Sequence, residues 1–328
     1  MEEYEGKTWR GLLEEGTALL REAGVGEAQT DAWYLLSAAF GMDRVHYYLE
    51  QDRAVRPERL SSGYGAYREF LAKRAARIPL QQILGNQEFM GLTFAVDENV
   101  LIPRQDTETL VEAVLRAHTD PQTAVLDLCT GSGCIAVSLA VLGGYGSVTA
   151  SDISGAALKV ALKNAKRLFL IRKGTVRSQS FRLSEQPWKR ELRTWIAQDA
   201  AGNGVREQSL TLLQSDCFRE FEPEAAYDVI VSNPPYIPSA VIGTLEPEVR
   251  DHEPRIALDG MEDGLHFYRV LALECSRHLR RGGMVYFEIG CDQAAAVGRI
   301  LEIAGYSGVE TIREAAGLDR VVSACWMR

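Results

Sequence analysis

One strand–turn–helix–strand run limits what this chain can become. Val125-Leu126-Asp127-Leu128 reads as a short apolar strand, Cys129-Thr130-Gly131-Ser132-Gly133 as a glycine turn, and Ile135-Ala136-Val137-Ser138-Leu139-Ala140 as the start of a helix. That order lets a backbone approach a ligand closely at a helix N-terminus. Roughly twenty residues on, Val148-Thr149-Ala150-Ser151 forms a second strand ending in Asp152, where an acid typically accepts hydrogen bonds from ribose hydroxyls. From Thr123 onward strands alternate with helices, with Thr211 to Asp216 as the third strand and Gly283 to Ile289 as the fifth. This pattern specifies an α/β chain with a doubly wound sheet. At 328 residues there is room for about two domains.

A second motif carries the chemistry. Tyr227 to Ser232 is an apolar run with the character of a buried parallel strand, and Asn233-Pro234-Pro235-Tyr236 follows it. Two consecutive prolines cannot donate to a sheet ladder, so the strand stops there. Asn233 is left at the carboxyl end, where open α/β sheets bind ligands. The Asn233 side-chain oxygen and the Pro234 carbonyl form a pair of acceptors for a planar –NH2 group. With both N–H bonds taken, the lone pair faces an electrophile, and the Tyr236 ring can cover the flat face of the group. A plain strand-ending turn is the competing reading, since Asn-Pro alone is common in turns.

Gly131-Ser132-Gly133-Cys134-Ile135-Ala136 also fits the dinucleotide pattern G-x-G-x-x-A, so the glycines by themselves leave a nicotinamide enzyme open. Asn-Pro-Pro-Tyr has no role in hydride transfer, whereas it fits methyl transfer from S-adenosylmethionine. A binding protein that had lost its activity would be expected to have lost the tetrapeptide or the ribose acid, and both are present.

The chain resembles a known family along most of its length. Leu126 to Gly133 is similar to the S-adenosylmethionine loop of class I methyltransferases. Asn233-Pro234-Pro235-Tyr236 resembles their amino-methylating signature, shared by DNA adenine, rRNA and protein glutamine methyltransferases. The flanking segments Pro79-Leu80-Gln81-Gln82-Ile83-Leu84-Gly85, Glu88 to Leu92, Leu101-Ile102-Pro103-Arg104, Glu248 to Pro254, Ala257 to Gly260 and Phe287-Glu288-Ile289-Gly290 resemble the peptide chain release factor glutamine methyltransferases. The resemblance implies a class I, Rossmann-like S-adenosylmethionine-dependent fold closed by an antiparallel strand at Val321 to Met327. It implies cofactor binding by Cys129, Thr130, Gly131, Ser132, Gly133, Asp152, Asp216, Cys217 and Asn233, and catalysis by Asn233, Pro234, Pro235 and Tyr236. It also implies a substrate, the glutamine in the Gly-Gly-Gln tip of class I release factors. An rRNA or DNA amino-group methyltransferase shares the tetrapeptide and is the alternative. Three departures stand out. Arg104-Gln105-Asp106-Thr107-Glu108 replaces a usual Arg-Pro-Glu-Thr-Glu, Cys129 stands where the loop usually begins with Gly, and Cys217 follows Asp216 where an aromatic or aliphatic residue is frequent.

The expected organisation is a helical substrate-recognition domain over 1–85, a β-hairpin linker over 86–97, and a methyltransferase domain over 98–328. In the first segment Trp9, Leu12, Leu13, Leu19 and Leu20 recur at helical spacing, then Ala32, Leu35, Leu36 and Ala39, and a third helix is expected from Pro57 to Arg77. Core packing is the expectation for Trp33, Tyr34, Tyr47 and Tyr48. The alternation from Gln87 to Val96 around Met90-Gly91 predicts the hairpin. An insert at about 172–208 is polar and carries Lys173, Arg177, Arg182, Lys189, Arg190 and Arg193. Trp188 and Trp195, seven apart, suggest one face of a short helix within a loop.

A net charge of −9 argues against a primary nucleic-acid binder. The six cysteines and five histidines show no metal-ligand spacing, so no metal is expected, and the cysteines read as reduced thiols of a cytoplasmic enzyme. The N-terminus has no signal peptide and no run reaches membrane-spanning length. A monomer is expected, with release factors as the protein partner.

Overall fold

The computed structural model describes residues 6–169, 176–183, 189–197 and 205–328, with backbone alone over 176–183, 189–197 and 205–207. The chain divides into two compact units. One comprises Met1–Gly85 with Glu246–His252, the other Asn86–Leu245 with Glu253–Arg328.

The first unit is helical: α1 (Trp9–Glu22), α2 (Ala28–Phe40), α3 (Arg44–Glu50), α4 (Pro57–Ala75) and α5 (Leu80–Leu84). The Thr8 hydroxyl caps α1 by accepting from the Gly11 amide, and Pro57 occupies the first turn of α4, where its missing N–H costs nothing. Trp9, Leu12, Leu20, Leu35, Leu36, Leu60 and Leu71 bury one core, and the Tyr67 hydroxyl donates to the Leu12 carbonyl within it. Each such apolar side chain contributes about 1.5–3 kcal/mol. The aromatic residues expected in that core divide. Trp33 and Tyr47 are buried, whereas Tyr34 and Tyr48 are exposed, because neighbours in a helix point about 100° apart. Helices α3 and α5, seven and five residues long, are too short to show a helical period in the sequence. Glu246–His252, far along the chain, also belongs to this unit.

The second unit opens with the hairpin β1 (Asn86–Phe89) and β2 (Leu92–Ala95). Met90 and Gly91 both take positive φ, 52° and 69°, the geometry of a two-residue turn matched to strand twist. Then follow α6 (Glu108–Ala117), β3 (Ala124–Leu128), α7 (Cys134–Ser138, continued by a π turn through Gly143), β4 (Ser147–Asp152) and α8 (Gly155–Leu168). Strands β5 (Val176–Leu183), β6 (Lys189–Ala197), β7 (Val205–Gln214) and β8 (Tyr227–Ser232) come next. The short helix α9 (Pro247–His252) is the segment that joins the first unit. Helix α10 (His266–His278), β9 (Leu279–Glu288), α11 (Ala294–Ala304), β10 (Ser307–Arg313) and β11 (Asp319–Trp326) complete the chain.

The large sheet has the order β10-β11-β9-β8-β3-β4-β7-β6-β5. Strands β7, β4, β3, β8 and β9 run parallel. β11 runs antiparallel, as expected, but lies between β9 and the edge strand β10. Alternation splits the core across the two faces: Val125, Val229 and Val231 join the α6–α8 side, while Leu126, Ile230 and Val285 join the α10–α11 side. The insert departs from expectation. Its described backbone is a β-hairpin, β5 with β6, that continues the sheet beyond β7. Trp195 therefore sits in a strand and not on a helix; Trp188, Lys173 and the Gly202-Asn203-Gly204 stretch lie outside the described residues.

Candidate active site

Register brings the chemistry together at one sheet edge. Leu128 pairs with Ser151 on one side and Ser232 on the other, while Asp152 pairs with Gln214 and Ser232 with Phe287. Cys129, Asp152, Asp216, Asn233 and Glu288 therefore all stand at the carboxyl ends of β3, β4, β7, β8 and β9. The sheet order turns around β3, which is where open α/β sheets place their ligand crevice. A cavity of about 360 Å³ lies there, within the range of small-molecule sites.

The loop after β3 is braced from beneath. Asp127 is fully buried, and its Oδ2 accepts from the Thr130 hydroxyl at 2.6 Å and the Ala136 amide at 3.1 Å. Burial pushes its carboxyl up to about 7, partly offset by those two donors. Thr130 N–H donates to the Ser151 carbonyl, and the buried Asn164 of α8 donates to the Ser132 carbonyl at 2.9 Å. Gly131 (φ 55°) has open space where a Cβ would stand, so its backbone is free to meet a ligand. Gly133 (φ 79°) is required for a different reason: a Cβ would sit 3.1 Å from that of Ala161, so this glycine permits α7 to pack on α8. Cys129 holds φ 60° without being glycine, and Cys217 holds φ 49°. The left-handed backbone at Cys129 explains why glycine suits the first loop position better.

Asp152 accepts from the Gly131 amide and the Ser154 amide, each at 2.8 Å, and burial still raises its carboxyl above the usual range. Each oxygen retains a lone pair for a hydroxyl donor. With Val100, Leu128 and Ile135 as apolar wall and Asp152 and Asp216 as acceptors, the donor set fits an adenosine-bearing cofactor. Among the described residues no cluster of metal-ligating side chains occurs, and no helix is long and apolar enough to cross a membrane.

Of the residues singled out from sequence, Cys129, Thr130, Gly131, Ser132, Asp152, Asp216, Cys217, Asn233 and Pro235 line this one cavity. Gly133, Pro234 and Tyr236 do not. Tyr236 packs against the α10–α11 core instead, and its carbonyl accepts from Gln293 Nε2 at 3.0 Å. The segment after the tetrapeptide is pinned by Ile237 N–H donating to the Leu258 carbonyl and Gly260 N–H to the Ile237 carbonyl. Two residues without an expected role also stand here. Thr107 lies 3.4 Å from the Asn233 side-chain nitrogen, and Glu288 is enclosed beside both.

The β7-β4-β3-β8-β9 order, the antiparallel β11, the glycine loop and the tetrapeptide together define a class I S-adenosylmethionine-dependent methyltransferase fold. Comparison narrows this. A family model described as the PrmC N-terminal domain matches residues 11–85, and one described as ribosomal protein L11 methyltransferase (PrmA) matches residues 105–184. A release factor glutamine methyltransferase of Geobacter sulfurreducens is 39% identical over 96% of this chain and 95% of its own. One from Caulobacter vibrioides is 36% identical over 92% and 91%. The solved structure of a release factor-specific protein-(glutamine-N5) methyltransferase from Alicyclobacillus acidocaldarius is 28% identical, covering 72% of this chain and 100% of that one at a TM-score of 0.36. The chain belongs to the release factor glutamine methyltransferase family. These matches do not favour the rRNA or DNA alternative.

Proposed function

We propose that this chain transfers a methyl group from S-adenosylmethionine to the side-chain amide nitrogen of the glutamine in the Gly-Gly-Gln loop of class I release factors. The observation that carries the reading is that Asn233 and Pro235 line the same cavity as the glycine loop, Asp152 and Asp216. Asp152 would hold the ribose hydroxyls, and the Gly131 backbone, with open space beside it, would meet the cofactor. When bound, the cofactor supplies a methyl group on a sulfonium, which is a good leaving group. The Asn233 side-chain oxygen accepts one N–H bond of the substrate amide and, although Pro234 is not among the residues that line the cavity, its carbonyl is assigned the other. Together they hold the nitrogen in line, so positioning provides much of the rate. Their grip tightens as that nitrogen becomes tetrahedral and positive, which is differential binding of the transition state. The proton leaves to water afterwards, and no general base is assigned. Tyr236 anchors the tetrapeptide through its ring packing and its carbonyl.

A glutamine side chain offers little surface, so selectivity must come from contacts away from the amide. The helical unit is assigned that role, supported by Val45, Tyr48 and Leu49, all exposed on the single short helix α3. The test is incubation with radiolabelled S-adenosylmethionine and either a class I release factor, the same factor with its loop glutamine replaced, rRNA or DNA. Label should enter the intact factor alone. Label in a nucleic acid, or equal label in the glutamine-replaced factor, would overturn the reading.

A further inference from the structure

We propose that Thr107 and Glu288 are positioning residues that fix which way round the Asn233 carboxamide sits. The inference rests on the function above. Asn233 can hold an amide –NH2 only through its oxygen. The two ends of a carboxamide have nearly the same shape, and a flipped Asn233 would aim its own N–H bonds at the substrate's. Something in the protein must therefore hold Nδ2 away from the acceptor side.

The fold supplies it. Ser232 of β8 pairs with Phe287 of β9, so Asn233 and Glu288 are the next residues along two neighbouring strands. Thr107, in the 3₁₀ turn Gln105–Thr107, is buried beside them, and Asn233 Nδ2 donates to its Oγ1 at 3.4 Å. A hydroxyl that accepts from Asn233 keeps its one proton to donate, and Glu288 is the carboxylate beside it, where the neighbouring Thr107 and Asn233 side chains favour its charged form. Glu288 is only 1% exposed, and its Oε2 is enclosed with no hydrogen-bond partner among the described residues. A buried carboxylate with spare acceptor capacity is costly, and such groups persist where a site uses them. Glu288 sets the direction of the Thr107 hydroxyl, Thr107 takes the Asn233 N–H, and the Asn233 oxygen is left facing the substrate amide. This is orientation of a reacting contact by the residues behind it.

The relay works when Glu288 is ionised; a protonated Glu288 becomes a donor and releases the Thr107 hydroxyl. Burial is the main influence on Glu288 and pushes it up to about 7, opposed by Thr107, Arg320 of β11 and Asn233, and reinforced by Asp106. Tyr236, Tyr268 of α10 and Cys134 of α7 also face it. Turnover should thus fall as pH drops through the neutral range.

The experiment compares wild type, Thr107→Val, Thr107→Ser and Glu288→Gln. It measures kcat and KM for a class I release factor, pH profiles of kcat, calorimetric S-adenosylmethionine binding and melting temperature. Thr107→Val and Glu288→Gln should lower kcat by roughly tenfold to a hundredfold, the scale of a misplaced reacting contact. Cofactor affinity should stay within about twofold, since the relay does not hold the cofactor. Thr107→Ser should restore most of the kcat, and Glu288→Gln should lack the neutral inflection of the wild-type profile. The Thr107 pair decides the matter if Glu288→Gln fails to fold. Full kcat in Thr107→Val, or a loss that Thr107→Ser does not repair, overturns the relay while wild-type methylation leaves the function standing. A wild type that methylates no release factor overturns both.

Discussion

The buried carboxylates of the helical unit and those around the catalytic crevice are held in opposite ways, although elsewhere in the catalytic unit Glu314 and Glu253 pair with Arg320 and Arg104. In the helical unit, Arg74 and Asp31 are both nearly enclosed and meet at 2.7 Å; Arg74 also reaches Glu248 at 2.8 Å, and Arg77 reaches Glu248 at 2.6 Å. Burial pushes Glu248 up, but the hydrogen bonds from Arg77 and Arg74 overcome it and hold the carboxyl at about 2. In the catalytic unit, Asp127, Asp152 and Glu288 are buried chiefly among hydroxyls and backbone N–H groups. Asp127 and Glu288 are pushed up to about 7, and Asp152 is raised as well. A full ion pair uses up its acceptors and fixes a fold. A buried carboxylate facing neutral donors costs stability but keeps acceptor capacity for a loop, a ribose or an asparagine.

Breaking the helical unit's pairing should have the largest effect. Arg74→Met leaves Asp31 buried without its cation and should cost about 3–5 kcal/mol in chemical denaturation, with S-adenosylmethionine binding retained. A loss below about 1 kcal/mol would mean that the network is worth no more than a surface pair. Next in size is Asn233→Ala. Turnover should fall by about 10²–10³, the scale of removing one preorganised transition-state partner, while calorimetry shows cofactor affinity little changed. Near-normal turnover at saturating substrate would remove Asn233 from the mechanism. Asp152→Ala should weaken S-adenosylmethionine binding by about tenfold or more, because a charged acceptor for the ribose is lost together with the anchor of the Gly131 and Ser154 amides. An unchanged dissociation constant would assign the ribose to another acid.

The smallest effect is a difference in pH dependence, and its sign follows from the shifts. Glu248 has a depressed pKa, so its contribution is present above about 4.5 and is lost as pH falls towards about 2. Asp127 is raised from 3.8 to about 7, so its contribution is present below about 4 and is lost as pH rises towards 7. Thermal unfolding between those limits should show Asp127→Asn losing less stability than wild type as pH rises. Parallel curves for the two proteins would mean that Asp127 titrates normally.

Much of the site is legible in the sequence because its parts are local. A strand, a glycine turn and a helix N-terminus occupy consecutive residues, and Asn233 follows its strand directly. Two prolines after a buried strand leave few alternatives. Contacts assembled across distance are not legible. Thr107 and Asn233 are 126 positions apart, and Glu288 reaches them only through the β8–β9 register, so Phe287-Glu288-Ile289-Gly290 carries family resemblance without revealing a role. The insert misleads because Trp188 and Trp195 fit a helical spacing. The described backbone instead makes strands, β5 paired with β6 and β6 with β7, in ladders that no local period announces. Glu248 belongs to the helical unit because its carboxylate meets Arg74 and Arg77, a match invisible to composition or periodicity.

The sequence by itself determined the α/β class and singled out the loop proposed to meet a cofactor and the residue proposed to meet the acceptor, since backbone conformation and side-chain chemistry there depend on adjacent residues. Tertiary structure decided which glycine serves packing rather than binding, which aromatic residues face water, and where each buried carboxylate finds its donors. Burial and hydrogen-bond partnership are set by whatever the fold brings alongside. At Glu288 those neighbours, from three distant segments, separate a structural acid from one proposed to orient Asn233.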